Sequence, residues 1–69
     1  MNILFKERLK ALRKEKQLKQ SELAERLSTT QRKISYWEAG KTEPDLQSLW
    51  LISDFFGVSV DYLLGKTEY

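Results

Sequence analysis

The sequence contains no cysteine and no histidine. Without Cys there is no disulfide framework, no thiolate nucleophile and no Cys-based zinc site. Without His the usual general base and the commonest metal ligand are missing too. Carboxylates such as Asp54 and Asp61 have no activating neighbour, so catalysis is not expected, and neither a metal nor another cofactor is called for. No apolar run approaches the roughly 18 residues of a membrane span, and the N-terminal MNILFKERLK lacks a signal peptide's apolar stretch. A cytoplasmic location with no membrane partner is expected. There is one Pro and there are three Gly, too few punctuating residues for a chain of short strands, while Leu, Lys, Glu, Gln and Arg are abundant, a composition that favours helix.

What is present is an uneven charge. Twelve Lys and Arg against ten Asp and Glu leave a net charge of only +2. Residues 1–41, however, hold eleven basic and five acidic side chains, and residues 42–69 hold one and five. Such asymmetry points to a polyanionic partner, with a solvated basic helix as the plainer alternative. At 69 residues and 41% hydrophobic composition, the chain supports one small core.

Hydrophobic spacing predicts five helices. Phe5, Leu9 and Leu12 mark an amphipathic helix over about 3–16 with a basic outer face. Leu23, Ala24 and Leu27 mark a second over 20–27, and Ile34 and Trp37 a third over 31–39, with Thr30 as its N-cap and Gly40 as its stop. Only Ser28, Thr29 and Thr30 separate the second and third, which implies a sharp turn and a steep crossing. Asp45 offers an N-cap for a fourth helix carrying Leu46, Leu49, Trp50, Ile52 and Phe56 at helical spacing and ending near Gly57. Ser59 caps a fifth over 60–64 that presents Val60, Leu63 and Leu64. No small-molecule site is evident.

The segment LKQSELAERLSTTQRKISYWEAGKTEP, residues 18–44, resembles the helix-turn-helix of the phage Cro and repressor family, the XRE family of bacterial and phage regulators. The flanking RLKALRKEKQ and DLQSLWLISDFFGVSVDYLLG resemble that family's first, fourth and fifth helices. The resemblance runs from about Phe5 to Gly65. Its strength lies in the mutual spacing of Gln20, Glu22-Leu23-Ala24, Ile34, Glu38, Gly40-Lys41, Pro44 and Gly57-Val58-Ser59-Val60.

The resemblance implies an all-α, five-helix, lambda-repressor-like fold in a single helix-turn-helix domain over 1–69. It also implies a sequence-specific regulator of transcription, a repressor acting as a homodimer on a two-fold symmetric duplex operator, nucleoid-associated in a bacterium or encoded by a phage. The family's third helix enters the major groove, so Gln31, Arg32 and Tyr36 look like base readers. Gln20 looks like a phosphate clamp, and Arg13 and Glu38 like a partly buried salt bridge, with Arg13 touching phosphate only secondarily.

The residues themselves agree with this reading. With Ile34 facing the core and about 100° per residue, Arg32, Tyr36 and Ala39 point directly away. Ser35 and Gln31 lie on one flank of that face and Lys33 on the other. Arg forks onto guanine O6 and N7, and Gln pairs with the adenine edge. Thr29, Thr30, Lys33 and Lys41 suit phosphate oxygens. The plainer alternatives are solvated charges for Arg32 and Lys33, and a covered hydrophobic edge for Tyr36.

Three residues depart from the family pattern. Lys19 stands where a side chain with an acceptor usually caps the second helix, Ser28 where Gly is usual, and Ala39 where a polar or basic residue is usual. Leu51 and Phe55, apolar where the family is polar or small, suggest a dimer contact with Val58, Val60 and Tyr62. They also motivate a second reading, a protein-interaction module of antitoxin or antirepressor type binding through helices four and five.

Overall fold

The computed structural model describes residues 2–69, which form five helices: α1 (Phe5–Glu15), α2 (Gln20–Arg26), α3 (Gln31–Ala39), α4 (Leu46–Phe56) and α5 (Val60–Leu64). Among these residues there is no strand. α1 begins at Phe5 rather than at Ile3, because the Leu4 N–H bonds the Leu64 carbonyl at 3.1 Å and draws the N-terminal segment onto α5. Thr30, Asp45 and Ser59 each accept a bond from the backbone N–H three residues on, at 3.2, 2.9 and 2.9 Å. Each satisfies one donor that a helix N-terminus leaves free. The Ser48 hydroxyl first, and the Ser48 N–H after it, hold the Asp45 carboxyl below its ordinary pKa. At α2 the Lys19 ammonium has nothing to accept with, and only the return half of a capping box forms: Glu22 Oε1 accepts from the Lys19 N–H at 2.7 Å.

The sharp turn of the helix-turn-helix is a left-handed C-terminal cap. Ser28 sits at φ +56°. The Thr29 N–H bonds the Ala24 carbonyl at 2.9 Å and the Ser28 N–H bonds the Glu25 carbonyl at 3.2 Å, the paired bonds of a Schellman motif. A non-Gly residue in this region carries a cost of about 1 to 2 kcal/mol, so the usual turn is kept with Ser in the strained place. α1 ends in the same way on Gln17, φ +59°.

Phe5, Leu9, Leu23, Ala24, Leu27, Ile34, Trp37, Ile52 and Leu63 form the core, with Leu12, Leu18, Leu49, Phe55, Phe56 and Val58 packed against it. Of the apolar residues that spacing grouped on α4, two do not join it: Leu46 is 85% exposed and Trp50 72%. Helical spacing placed them with Ile52, but at about 100° per residue Trp50 lies some 160° from Ile52 and Leu46 some 120°, off the buried stripe.

Two arginines tie α1 to the rest. Arg13 forks onto Glu38 of α3, Nε to Oε2 at 2.7 Å and Nη2 to Oε1 at 2.9 Å, while its Nη1 donates to the Leu18 carbonyl at 2.8 Å. Both side chains are largely buried, at 11% and 4% exposure. The bond to Glu38 raises the Arg13 pKa above its ordinary value, and burial opposes this only in part. Arg8 Nη1 donates to the carbonyls of Tyr62 and Thr67 at 2.7 and 2.6 Å, with its guanidinium 4.1 Å from the Tyr62 ring centre. That fastens α5 and the C-terminal residues to α1.

Two stability measurements follow from this geometry. In urea unfolding, Arg13→Ala and Glu38→Ala should each cost about 3 to 5 kcal/mol, and the double variant clearly less than their sum, because removing one partner strands a buried charge. Additive losses would mean the pair is uncoupled. Ser28→Gly should stabilise by about 0.5 to 1 kcal/mol, the left-handed penalty less the entropy that Gly adds to the unfolded chain.

Candidate nucleic-acid interface

α3 turns Ile34 and Trp37 inward, and that orientation leaves Gln31, Arg32 and Lys33 exposed and Ser35 and Tyr36 half-buried on its outer side. Of the expected base readers, Arg32 and Tyr36 are joined: Arg32 Nε donates to the Tyr36 hydroxyl at 3.3 Å, and the guanidinium carbon lies 5.4 Å from the ring centre. The Lys41 ammonium lies 5.5 Å from the same ring. Tyr36 therefore gathers two cations, an organising role that side-chain type and spacing did not reveal. Cation–π contacts at such exposed sites contribute about 0.5 to 1 kcal/mol each, enough to bias a long side chain's rotamers but weak enough to yield to a better partner.

Among the phosphate-facing candidates, Lys33 and Lys41 are exposed and Thr29 is half-buried. The Thr30 oxygen accepts from the Lys33 N–H as the cap of α3, and its hydroxyl hydrogen can still be donated. Gln20, at the first position of α2, donates through Nε2 to Glu38 Oε1 at 3.2 Å, so the start of α2 is registered on the same carboxylate that holds α1. Arg13 spends three of its five N–H donors inside the fold, on Glu38 and the Leu18 carbonyl, and the residue is 9% exposed, which leaves only a narrow guanidinium edge for the expected secondary phosphate contact.

The structure adds two features that the sequence pattern did not single out. Lys6 lays its side chain over the end of α3, where a Cβ on Gly40 would lie 3.0 Å from Lys6 Cδ and 3.5 Å from its Nζ. That puts a further cation beside Lys41. The position needs glycine for its φ of +74°, whereas the exposed Lys6 side chain is able to shift. The second feature is acidic. A shallow groove of about 450 Å³ runs between α3 and the N-terminal turn of α4, lined by Arg32, Lys33, Tyr36, Trp37, Thr42, Glu43, Asp45 and Ser48. Glu43 and Asp45 thus border the basic face with opposite charge. Proximity to Arg and Lys in space, rather than in sequence, is what reveals them.

The expected dimer residues do not share one open face. Leu51 is 40% exposed and lines a depression with Arg26, Leu27, Ser28, Asp54 and Phe55, on the side facing α2. Phe55 is half-buried against the core, edge-on to Phe56 at 5.0 Å, with the Lys16 ammonium 5.7 Å from its ring. Tyr62 lies beneath Arg8. Val58 and Val60 are half-buried. The free apolar area expected at Phe55 and Tyr62 is therefore largely covered within the chain. Among the described residues no group of three acidic side chains is arranged to hold a metal ion, and no helix is long and apolar enough to cross a membrane.

Comparison with known proteins agrees with this architecture. The chain is 47% identical over 64 residues to the HTH-type transcriptional activator BcrR of Enterococcus faecalis, covering 93% of this chain and 31% of that protein. It is 42% identical over 65 residues to the SPbeta prophage-derived HTH-type transcriptional regulator YonR of Bacillus subtilis, covering 94% and 60%. The chain thus spans less than two thirds of the length of these relatives. The crystal structure of the P22 c2 repressor protein in complex with a synthetic operator superimposes with a TM-score of 0.85 at 33% identity, over 91% of this chain and 96% of that one. The helix-turn-helix family matches residues 9–63, and with five helices in the phage-repressor arrangement the chain belongs to that family, in its XRE-type branch.

Proposed function

We propose that this chain is a sequence-specific double-stranded DNA-binding regulator of transcription. In this reading it represses by occupying a two-fold symmetric operator as a homodimer, with α3 in the major groove. The observation that carries the proposal is the outer face of α3. Arg32 and Tyr36 project there as a joined pair, Gln31 and Ser35 flank them, and Lys41 and Lys33 stand at the margins. The buried Arg13–Glu38–Gln20 network holds α1, α2 and α3 in fixed register behind that face. The likeness to a phage repressor whose structure was determined with operator DNA supports the same reading.

On this proposal Arg32 donates to guanine O6 and N7, Gln31 pairs with the adenine edge, and Tyr36 and Ser35 complete the contact surface. Gln20, Thr29, Thr30, Lys33 and Lys41 bind phosphate and set the register without reading sequence. When DNA arrives, Arg32 exchanges its weak contacts with Tyr36 for a bidentate, charge-assisted pair, which is the stronger interaction. Glu43 and Asp45 at the rim repel phosphate and favour the one orientation that keeps the backbone over the cations.

Selection from random duplex DNA tests the core of the proposal: a two-fold symmetric consensus is expected, and no enrichment at low salt would overturn it. A promoter fused to the selected site should be silenced by the protein, and activation would overturn the repressor assignment. Binding should weaken steeply between about 50 and 200 mM salt, as counterion release requires, and a flat dependence would count against phosphate contacts from this face. Arg32→Ala should cost about 1 to 3 kcal/mol at one base pair of each half-site and relax the consensus there. Lys41→Ala should weaken all sequences alike and lower the salt slope by about one. An unchanged consensus after Arg32→Ala would remove Arg32 from the readers.

A further inference from the structure

Lys6, in the first turn of α1, lies outside the helix-turn-helix in sequence, yet its side chain crosses the C-terminal end of α3. A Cβ on Gly40 would meet its Cδ at 3.0 Å, its Nζ at 3.5 Å and its Cε at 3.7 Å. Lys6 and Lys41 are both exposed, so cationic chains from two separate elements stand together at one end of α3. Neither forms an ion pair: those among the described residues join Arg8 to Glu68 and Arg13 to Glu38. Glu43 lines a groove of about 220 Å³ with Lys6, Gly40 and Thr42, but does not pair with Lys6. Like charges gathered without a counter-charge attract an anion from outside.

A cation at a helix C-terminus also suits the helix dipole, and that is the plainer use of Lys6. The end of α3 is already closed, however. The Gly40 and Lys41 N–H groups bond the Trp37 and Tyr36 carbonyls at 3.2 and 2.9 Å, so these carbonyls do not depend on Lys6.

We propose that Lys6 is a phosphate-contacting residue of the DNA interface. With Lys41 it forms an anchor at the C-terminal end of α3, for the strand opposite the one held at the N-terminal end. The inference rests on the DNA-binding reading above and extends that interface to α1. α3 has nine residues, a rise of about 13 Å at 1.5 Å per residue, close to the ~12 Å width of the major groove. Gln20, Thr29, Thr30 and Lys33 stand at one end of this span and Lys6 and Lys41 at the other. With α3 across the groove, one group falls on each sugar-phosphate backbone, and the helix is pinned from both sides. Lysine suits the task, as a compact point charge with three rotatable donors on a flexible stem. The stem rests on Gly40, where no side chain obstructs it, and the ammonium swings from there to an oxygen.

Lys6→Gln removes the charge and keeps most of the chain length, and its exposed position means that it should fold like the parent, which urea unfolding checks. Binding to the duplex selected by the parent is measured between about 50 and 200 mM salt. Lys6→Gln should bind more weakly with an unchanged consensus and a salt slope lower by about one, so that its deficit shrinks about threefold across the range. Lys6→Arg should restore the slope. Lys66→Gln makes the same change of net charge at an exposed site after α5 and should keep the parent slope. Neutral methylphosphonates placed singly along both strands then locate the contact. One linkage should weaken the parent and leave Lys6→Gln unaffected, and it should lie on the strand opposite the linkage to which Lys33→Gln is indifferent. A parent-like slope in Lys6→Gln, with or without a loss of stability, overturns the contact while the DNA-binding reading stands. An equal fall in slope in Lys66→Gln, or the absence of any linkage to which Lys6→Gln is indifferent, overturns it as well. Indifferent linkages for Lys6→Gln and Lys33→Gln on one strand overturn the two-strand arrangement. A parent that binds no duplex overturns the DNA reading itself, and Lys6 falls with it.

Discussion

The Glu38 carboxylate is the constraint on which the arrangement depends. It accepts two bonds from Arg13 and one from Gln20, so side chains from α1, α2 and α3 converge on one buried group. Arg13 carries the network further by donating to the Leu18 carbonyl in the connection between α1 and α2. A buried carboxylate and guanidinium are costly to desolvate, and their mutual attraction offsets that cost only when geometry is good and the remaining donors are satisfied. Here the fork is bidentate and no buried side-chain polar atom among the described residues lacks a partner. An apolar substitute of similar volume could fill the space, but it would not fix the angle at which three short helices meet. In a chain this small, with few fully buried side chains, such directional bonds supply a specificity of orientation that dispersion forces alone leave loose.

That rigid back lets the outer face of α3 remain loosely held. Arg32, Tyr36 and Lys41 are linked by cation–π contacts and one long hydrogen bond, each readily exchanged for a stronger contact to a polyanion. Glu43 and Asp45 balance this cluster across the groove, which limits the potential of the face to a patch rather than a broad basic surface. The uneven charge along the chain thus becomes a boundary in space. Basic side chains from α1, α3 and the loop after it stand on one side, and the acids that open the final third stand at its rim.

α4 serves both the core and the exterior. Ile52 is fully buried, Leu49 and Phe56 pack against the core, and the exposed arc carries Leu46, Trp50 and Leu51 beside Gln47 and Asp54. Helices α1 to α3 keep polar and charged side chains outward, as a solvated helix does. The exception at Leu46 and Trp50 therefore follows from the composition of one helix face and not from a general excess of surface hydrophobics.

Helix number, order and caps were legible in the sequence because they rest on local interactions: Thr30, Asp45 and Ser59 reach only three residues along the chain, and 3.6-residue spacing needs no knowledge of the neighbours. The core residues of α1 to α3 were legible for the same reason. The convergence of Arg13 and Glu38 was legible only through resemblance, since 25 residues separate them and no local rule joins them. Leu46 and Trp50 were grouped with Ile52 because each stands three or four residues from an apolar neighbour, although angles of about 120° and 160° set them off the Ile52 stripe. Packing of Leu49, Ile52 and Phe56 against the other helices chose the buried side. The engagement of Arg13 with Glu38 and Leu18, the covering of Tyr62 by Arg8, and the gathering of Arg32 and Lys41 on Tyr36 were likewise decided by tertiary structure. Each depends on which partner reaches a side chain first in three dimensions. The sequence by itself determined the helices and the character of the α3 face, through local periodicity and side-chain chemistry. Only the tertiary structure decided which polar groups are engaged within the fold and how firmly, because their partners lie far away in the sequence.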